Sequence, residues 1–223
     1  MISEQKAARD RVISAAVELF SHRGYHGVGV REIAQAAGVN VSMISYYFQG
    51  KAGVLREILK ECQEKYAAAL QAAGDESTPA EEHVRRLAQQ LVRFFRENLE
   101  MASIGFDAIP IDVLEVLEFR MRLIEQVRDI VLPLRAKLGL DPADPLHANL
   151  GPGSLFATVL YHFQWRLAAQ HAPGLGEQVA RTYDDQFYER FADGLAQVFL
   201  STARVLTDRS SRPGPEARPR QAR

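Results

Sequence analysis

VREIAQAAGVNVSMISYYFQGK, residues 30–51, reads as two short helices joined by a tight turn. The first spans about Arg31 to Ala37, with Ile33, Ala34 and Ala37 on its inner side. Gly38 follows where the backbone needs a left-handed conformation, which glycine adopts without a Cβ penalty. Val39 plugs the corner, and Asn40 offers a side-chain oxygen to the free N–H groups of the next turn. The second helix spans about Val41 to Phe48, with Ile44 and Phe48 four apart on the buried face. Ser42, Met43, Ser45 and Tyr46 are left pointing outward. Ala34 is small enough for two helices to cross steeply. This is the helix-turn-helix pattern, whose second helix enters the DNA major groove.

The flanks extend the pattern. Downstream, YYFQGKAGVLREIL, residues 46–59, sets an aromatic cluster ahead of Lys51 and another amphipathic helix. Upstream, a full amphipathic helix ends in the loop SHRGYHGVGV, residues 21–30. Carried on Ala16, Phe20, Gly24, Tyr25, Ile33, Ala34, Gly38, Val39, Ile44, Tyr47, Phe48 and Lys51, this layout resembles the DNA-binding domain of the TetR family of transcriptional regulators. The resemblance covers the N-terminal quarter and is silent about the rest. It implies an all-α fold with an N-terminal three-helix head and a C-terminal helical domain for ligand binding and dimerisation. It also implies a sequence-specific repressor, released from a palindromic operator by a small molecule.

The exposed side of the second helix is expected on base edges. Ser42 and Ser45 donate or accept and discriminate weakly. Val41 and Met43 suit a thymine methyl, and Tyr46 suits a base edge or a phosphate. Asn40 opens the helix. Tyr47 and Lys51 match family positions that clamp the phosphate backbone, and Arg31 is the best further cation. Past Asn40 the reading helix has no Arg, Lys, Asn or Gln, so specificity is expected largely from apolar contacts and DNA shape. The family usually has a hydroxyl residue near Gly29, and its absence puts one phosphate contact in doubt.

Composition agrees with a local rather than a global DNA surface. The chain of 223 residues is 47% hydrophobic and 25% charged, with a formal net charge of −1. Through residue 51, six basic residues (Lys6, Arg9, Arg11, Arg23, Arg31, Lys51) face four acidic ones (Glu4, Asp10, Glu18, Glu32). So small an excess calls for a dimer to reach useful affinity. Cys62 is the single cysteine, which excludes an internal disulfide and suits a reducing cytosol; an apolar filler role is expected of it. The N-terminus lacks the apolar core of a signal peptide, so a cytoplasmic protein is expected. Residues 145–165 carry no Asp, Glu, Lys or Arg, but their Asn, Gly-Pro-Gly, His and Gln content fits a buried helix better than a membrane span.

In chain order, helix one is expected from Glu4 to His22, capped by Ser3. The helix from Lys51 to about Ala73 connects the head (1–50) to a regulatory and dimerisation domain (75–207), with the boundary near Gly74. Thr78-Pro79 opens a helix to about Glu100, with Thr78 as its cap. A short helix over residues 101–109 follows, then a long one from Asp112 to Leu138, kinked at Pro133 and stopped by Gly139. The next runs from Asp144 to about His171, bent near Gly151. The last runs from about Gly176 to Leu206. Residues 208–223, rich in Arg and Pro, are expected to be disordered.

For the regulatory half, Phe94, Met101, Phe106, Tyr161 and Trp165 are candidate lining for a mostly apolar effector, with His83, Asp107 and Arg120 as candidate polar anchors. Leu155, Val159, His162 and Arg166 form one stripe of the penultimate helix, and Phe156, Leu160, Phe163 and Leu167 another. One stripe is assigned to the chain's own core and one to a partner in a homodimer built on the last two helices. No nucleophile elbow, phosphate-cradling loop or zinc-spaced His-Glu pair occurs, so neither an enzyme nor a metal or cofactor site is expected. The competing reading is a helical ligand-binding or scaffold protein with a weakened DNA-binding head.

Overall fold

The computed structural model describes residues 2–108, 113–141, 143–150, 152–170 and 172–210. Among them every regular element is a helix. Four helices come first: α1 (Ile2–Arg23), α2 (Val30–Ala37), α3 (Val41–Phe48) and α4 (Lys51–Ala72). They are followed by α5 (Ala80–Glu97), α6 (Leu99–Ser103) and a π-helical turn (Ile104–Ala108). The remainder is α7 (Leu114–Lys137), α8 (Pro145–Leu150), α9 (Pro152–Gln170), α10 (Gly176–Thr182) and α11 (Asp185–Ser210).

The head closes around Val12, Ala16, Phe20, Ile33, Ile44, Phe48, Leu55 and Ile58, all buried. The apolar stripes of α1 to α4 meet there, as the helical spacing predicts. α4 continues out of the head and presents Leu59, Cys62, Tyr66 and Leu70 to α5 and α7. Its buried residues therefore belong to one core that runs from the head into the C-terminal half. In the middle of that core Phe106 packs against Tyr66, Phe95, Phe119 and Phe156, with ring centroids 5.3 to 5.8 Å apart. The π turn brings Phe106 there, and Gly105 lets it lie flat on α7, since a Cβ at that position would meet the Phe119 ring at 2.9 Å.

Several expected boundaries move. Ser3 lies within α1 rather than capping it. Thr78 does not cap α5: it is folded into a turn around Asp75, whose carboxylate accepts from the backbone N–H groups of Ser77 and Thr78. An Asx turn there competes with the N-cap, and the helix starts one residue later than expected, at Ala80. Of the helix expected from Asp144 to His171, the described residues show two helical stretches, α8 and α9, on either side of Gly151. The expected last helix is also two, because Tyr183 leaves helical geometry (φ −106°, ψ 64°) and Asp184 accepts the Phe187 N–H as a new cap. Pro133 lies inside α7, which continues to Lys137 before Gly139 turns at φ +70°. The proposed bend at Gly151, the α7 start at Asp112 and most of the tail fall outside the described residues. Neither stripe of α9 is left over for a partner: Leu155, Val159, Phe163 and Leu167 are buried, while His162 and Arg166 pack on the α11 residue Tyr188.

Two outcomes follow from this packing. A Cβ on Gly53 would lie 1.5 Å from the Phe48 carbonyl oxygen. Gly53→Ala is therefore expected to lower stability in urea by about 1–3 kcal/mol or to displace α3, and an unchanged midpoint would refute the contact. His83 on α5 is buried and neither ring nitrogen has a partner. Burial first, then the Lys137 ammonium, holds its pKa below the ordinary imidazole value. A base depressed in the folded state contributes fully above its unfolded pKa and loses that contribution as pH falls. Stability should therefore fall between about pH 7 and pH 5, and fall less in His83→Leu.

Candidate functional site

The turn between α2 and α3 is built as its residues require. Gly38 sits at φ +63°, and its neighbour's N–H closes on the Ala34 carbonyl. Asn40 Oδ1 accepts from the Ser42 N–H at 2.9 Å and from the Ser42 hydroxyl at 2.8 Å. This leaves the Ser42 oxygen as an acceptor toward solvent and the Asn40 amide N–H groups unused by the cap. With Ile44 and Phe48 turned inward, Val41, Ser42, Ser45, Tyr46 and Tyr47 are exposed and Met43 is half-buried. Tyr46 stands out at 80% exposure, its ring edge-on to Tyr47 at 4.9 Å. An aromatic so exposed contributes little to the core.

Arg31 is exposed at the first turn of α2, on the same corner. The N-terminus of α2 does not lack a cap for want of a hydroxyl. Glu32 reaches back, accepting the Gly29 N–H at 2.7 Å through one carboxylate oxygen and pairing with Arg23 at 2.8 Å through the other. These bonds, Gly29 first, hold the Glu32 carboxyl below the ordinary carboxylate range. Glutamate three residues past the cap was a readable signal that the sequence reasoning passed over.

Lys51 is engaged inside the head. Its ammonium donates to the carbonyls of Tyr25 and Val28, both at 2.9 Å, and lies 4.2 Å from the centre of the Tyr25 ring. Two of its three protons are thus spent inside the head. The side chain ties the loop after α1 to the start of α4, and only its remaining proton is open to a phosphate. The second surprise is Gln49, left-handed at φ +61°, which ends α3 by donating its N–H to the Ser45 carbonyl. Glutamine gives no sequence sign of that conformation.

Residues 12–58 match the model of the bacterial regulatory proteins of the tetR family. The N-terminal head is thus similar to the DNA-binding domain of that family. It is similar to the HTH-type transcriptional regulator YttP of Bacillus subtilis, 34% identical over 108 residues, which are 48% of this chain and 52% of that protein. It is 32% identical over 73 residues to the regulator RutR of Escherichia coli, covering 33% and 34% of the two chains. The chain thus spans about half the length of the first of these curated relatives and a third of the second. Among solved structures, a TetR-family protein from Rhodococcus superposes with a TM-score of 0.65 at 19% identity, over 88% of this chain and 96% of that one. FadR of Bacillus subtilis, in complex with stearoyl-CoA, superposes with a TM-score of 0.62 at 16% identity, over 86% and 97%. At such identities the likeness is one of fold, and it covers the C-terminal helices as well as the head. The relatives and neighbours named here are regulators rather than enzymes.

The regulatory half holds an open cavity of about 610 Å³ among α4, α5, α7 and α9. Its walls include Tyr66, Leu87, Leu91, Leu123, Val127 and Phe156. None of the five expected lining residues is among its walls. Phe94 and Met101 are buried in the core beside it, and Phe106 fills the space between Tyr66 and Phe156. Tyr161 and Trp165, 72% and 41% exposed, lie on the outer face of α9 instead. Helical spacing gives a side, and a side can face solvent as well as a cavity. Of the candidate anchors, His83 is buried away from these walls, Arg120 donates to the Gly105 carbonyl, and the Asp107 side chain is outside the described residues. Among the described residues no three His, Cys, Asp or Glu side chains converge as a metal site, and no helix is long and apolar enough to cross a membrane.

Lys51→Met, which keeps the apolar stem and removes two charge-assisted bonds, is expected to lower stability by about 1.5–3 kcal/mol. A purely phosphate-directed lysine would leave the urea midpoint unmoved.

Proposed function

We propose that this protein is a sequence-specific, DNA-binding transcriptional regulator that reads a palindrome as a homodimer and is released by a small, mostly apolar ligand. The carrying observation is the division of α3. Ile44 and Phe48 are sealed in the head, while Val41, Ser42, Ser45, Tyr46 and Tyr47 form a continuous outer face on a helix with a fixed entry cap. A short helix with one face locked and the other exposed fits the major groove. In this reading Tyr46, Ser45 and Val41 meet base edges, with Met43 at the margin. Asn40, Arg31 and Tyr47 meet the backbone, and Lys51 acts chiefly by holding the head together.

The dimer reading rests on the exposed apolar side chains of the last two long helices, Tyr161 and Trp165 on α9 and Val198 and Val205 on α11. Release by ligand is supported by how the head joins the rest. α4 starts with Lys51 in the head and carries Tyr66 and Leu70 to the cavity wall. Arg56 on α4 pairs with Glu115 on α7 at 3.2 Å, and His22 on α1 lies 3.7 Å from Glu100 on α6. A ligand that shifts α7 against α4 thus acts on helices that also anchor the head. Domain limits of 1–50, 51–74 and 75–207 follow from the same division of labour. FadR's complex with stearoyl-CoA adds weight to an apolar ligand here.

Selection from random duplex DNA at about 150 mM salt, followed by titration, tests the reading. Wild type is expected to enrich an inverted repeat with half-sites about one helical turn or somewhat more apart. Tyr46→Ala should keep its fold and lose at least tenfold preference for that repeat, while Arg31→Gln weakens all sequences alike and flattens the salt dependence. If the folded wild type enriches no sequence, the regulator reading falls and a helical ligand-binding scaffold replaces it.

A further inference from the structure

The cavity among α4, α5, α7 and α9 has apolar walls with two exceptions of one sign. Among the described residues Arg128 and Arg135 line it, and no Asp or Glu does. Arg128 is on the rim, with a highly exposed side chain 3.7 Å from Asp129. Arg135 is different: it is 6% exposed, yet among the described residues it has no carboxylate within ion-pair distance. Its Nη2 donates to the Asp141 carbonyl at 2.8 Å, while its Nε is buried without a partner. A guanidinium keeps its charge at any pH the protein meets. Burying that charge unneutralised is strongly unfavourable, as is leaving a buried N–H donor without an acceptor. Both deficits are removed by one anionic oxygen entering from the cavity.

The geometry points to a ligand with one aliphatic chain and one anionic head. The chain lies along Leu87, Leu91, Leu123, Val127 and Phe156, and the head meets Arg135 with Arg128 at the rim. This rests on the proposed ligand-released regulator and names the ligand class for its cavity. The single sign of the ionisable wall excludes a cationic amphiphile, and the buried guanidinium disfavours a neutral oil. Two sources share the chemistry: a carboxylate at the end of the chain, or a phosphate monoester there, whose further oxygens would also reach Arg128 at the rim.

Full-length, delipidated protein is titrated with hexadecanoate, hexadecyl phosphate, hexadecanol and hexadecyltrimethylammonium, each below its micelle concentration. Displacement of a fluorescent fatty acid and direct calorimetry provide the readouts. At least one of the two anionic probes is expected to bind tenfold or more tighter than hexadecanol, and the cationic probe weakest of all. Arg135→Gln should reduce the preference for the anion over the alcohol to less than threefold while alcohol binding stays within threefold. Tighter hexadecanoate marks a carboxylate as the head; tighter hexadecyl phosphate, with the gap narrowed by Arg128→Gln, marks a phosphate. Equal binding of hexadecanol and both anions to wild type overturns the inference without any variant, so a misfolded Arg135→Gln does not shelter it. Leu91→Trp, which fills the cavity, should abolish binding of every probe, and retained binding places the ligand elsewhere and overturns it as well. Anion-selective binding by a protein that selects no operator would sink the regulator reading and leave the site standing. Operator binding with no anion preference would do the reverse.

Discussion

The Phe48 carbonyl occupies space that any side chain at residue 53 would need. That close approach lets α4 leave α3 after two residues, left-handed Gln49 and Gly50 at φ +103°, so that the reading helix is braced by the helix that follows it. The same corner holds Lys51, whose ammonium gathers the Tyr25 and Val28 carbonyls and so fixes the loop entering α2. Position and orientation of the whole outer face of α3 thus depend on one missing Cβ and one internal cation. Two helices of eight residues are far too short to hold themselves in water, so tertiary bracing of this kind replaces helix propensity.

This dependence explains what was legible in the sequence. α2 and α3 were readable to within a residue because their signals are local: Gly38 at a left-handed stop, Asn40 as a cap, Ile44 and Phe48 one turn apart. The exposed set Val41, Ser42, Ser45, Tyr46 and Tyr47 follows by subtraction once the buried side is known. Lys51 was legible as a residue and illegible as a role, because whether its ammonium meets a phosphate or a carbonyl depends on where a loop more than twenty residues earlier comes to lie. Gln49 gave no sign, since its left-handed backbone is imposed by the α3–α4 crossing.

The C-terminal half was less readable for a related reason. Helical periodicity survives a break that keeps phase, so α10 and α11 looked like one helix until Asp184 capped the second. Periodicity also cannot distinguish a helix side facing a cavity from one facing solvent. Phe106 entered the centre of the core through a π turn that no spacing rule anticipates, while Trp165 and Tyr161, equally aromatic, ended outside. The residues that set the cavity's chemistry were absent from any motif. Arg135 sits in a helix of mixed composition, and only its burial without a carboxylate sets it apart.

The buried cation also bears on how a ligand could act on a distant head. Coupling requires that the ligand prefer one arrangement of the helices over another, since equal affinity for both shifts nothing. A greasy chain alone fills whatever volume is offered and discriminates weakly between similar packings. A guanidinium discriminates sharply, because hydrogen-bond energy falls steeply with angle and distance. Arg135 belongs to α7, which packs directly along α4. α4 in turn runs rigidly for about 28 Å from the cavity wall at Leu70 to Lys51, at the usual helical rise. An anion that settles Arg135 therefore selects among positions of α7 relative to a rod whose far end holds the reading helix, and specificity for the head group and control of α3 become one requirement.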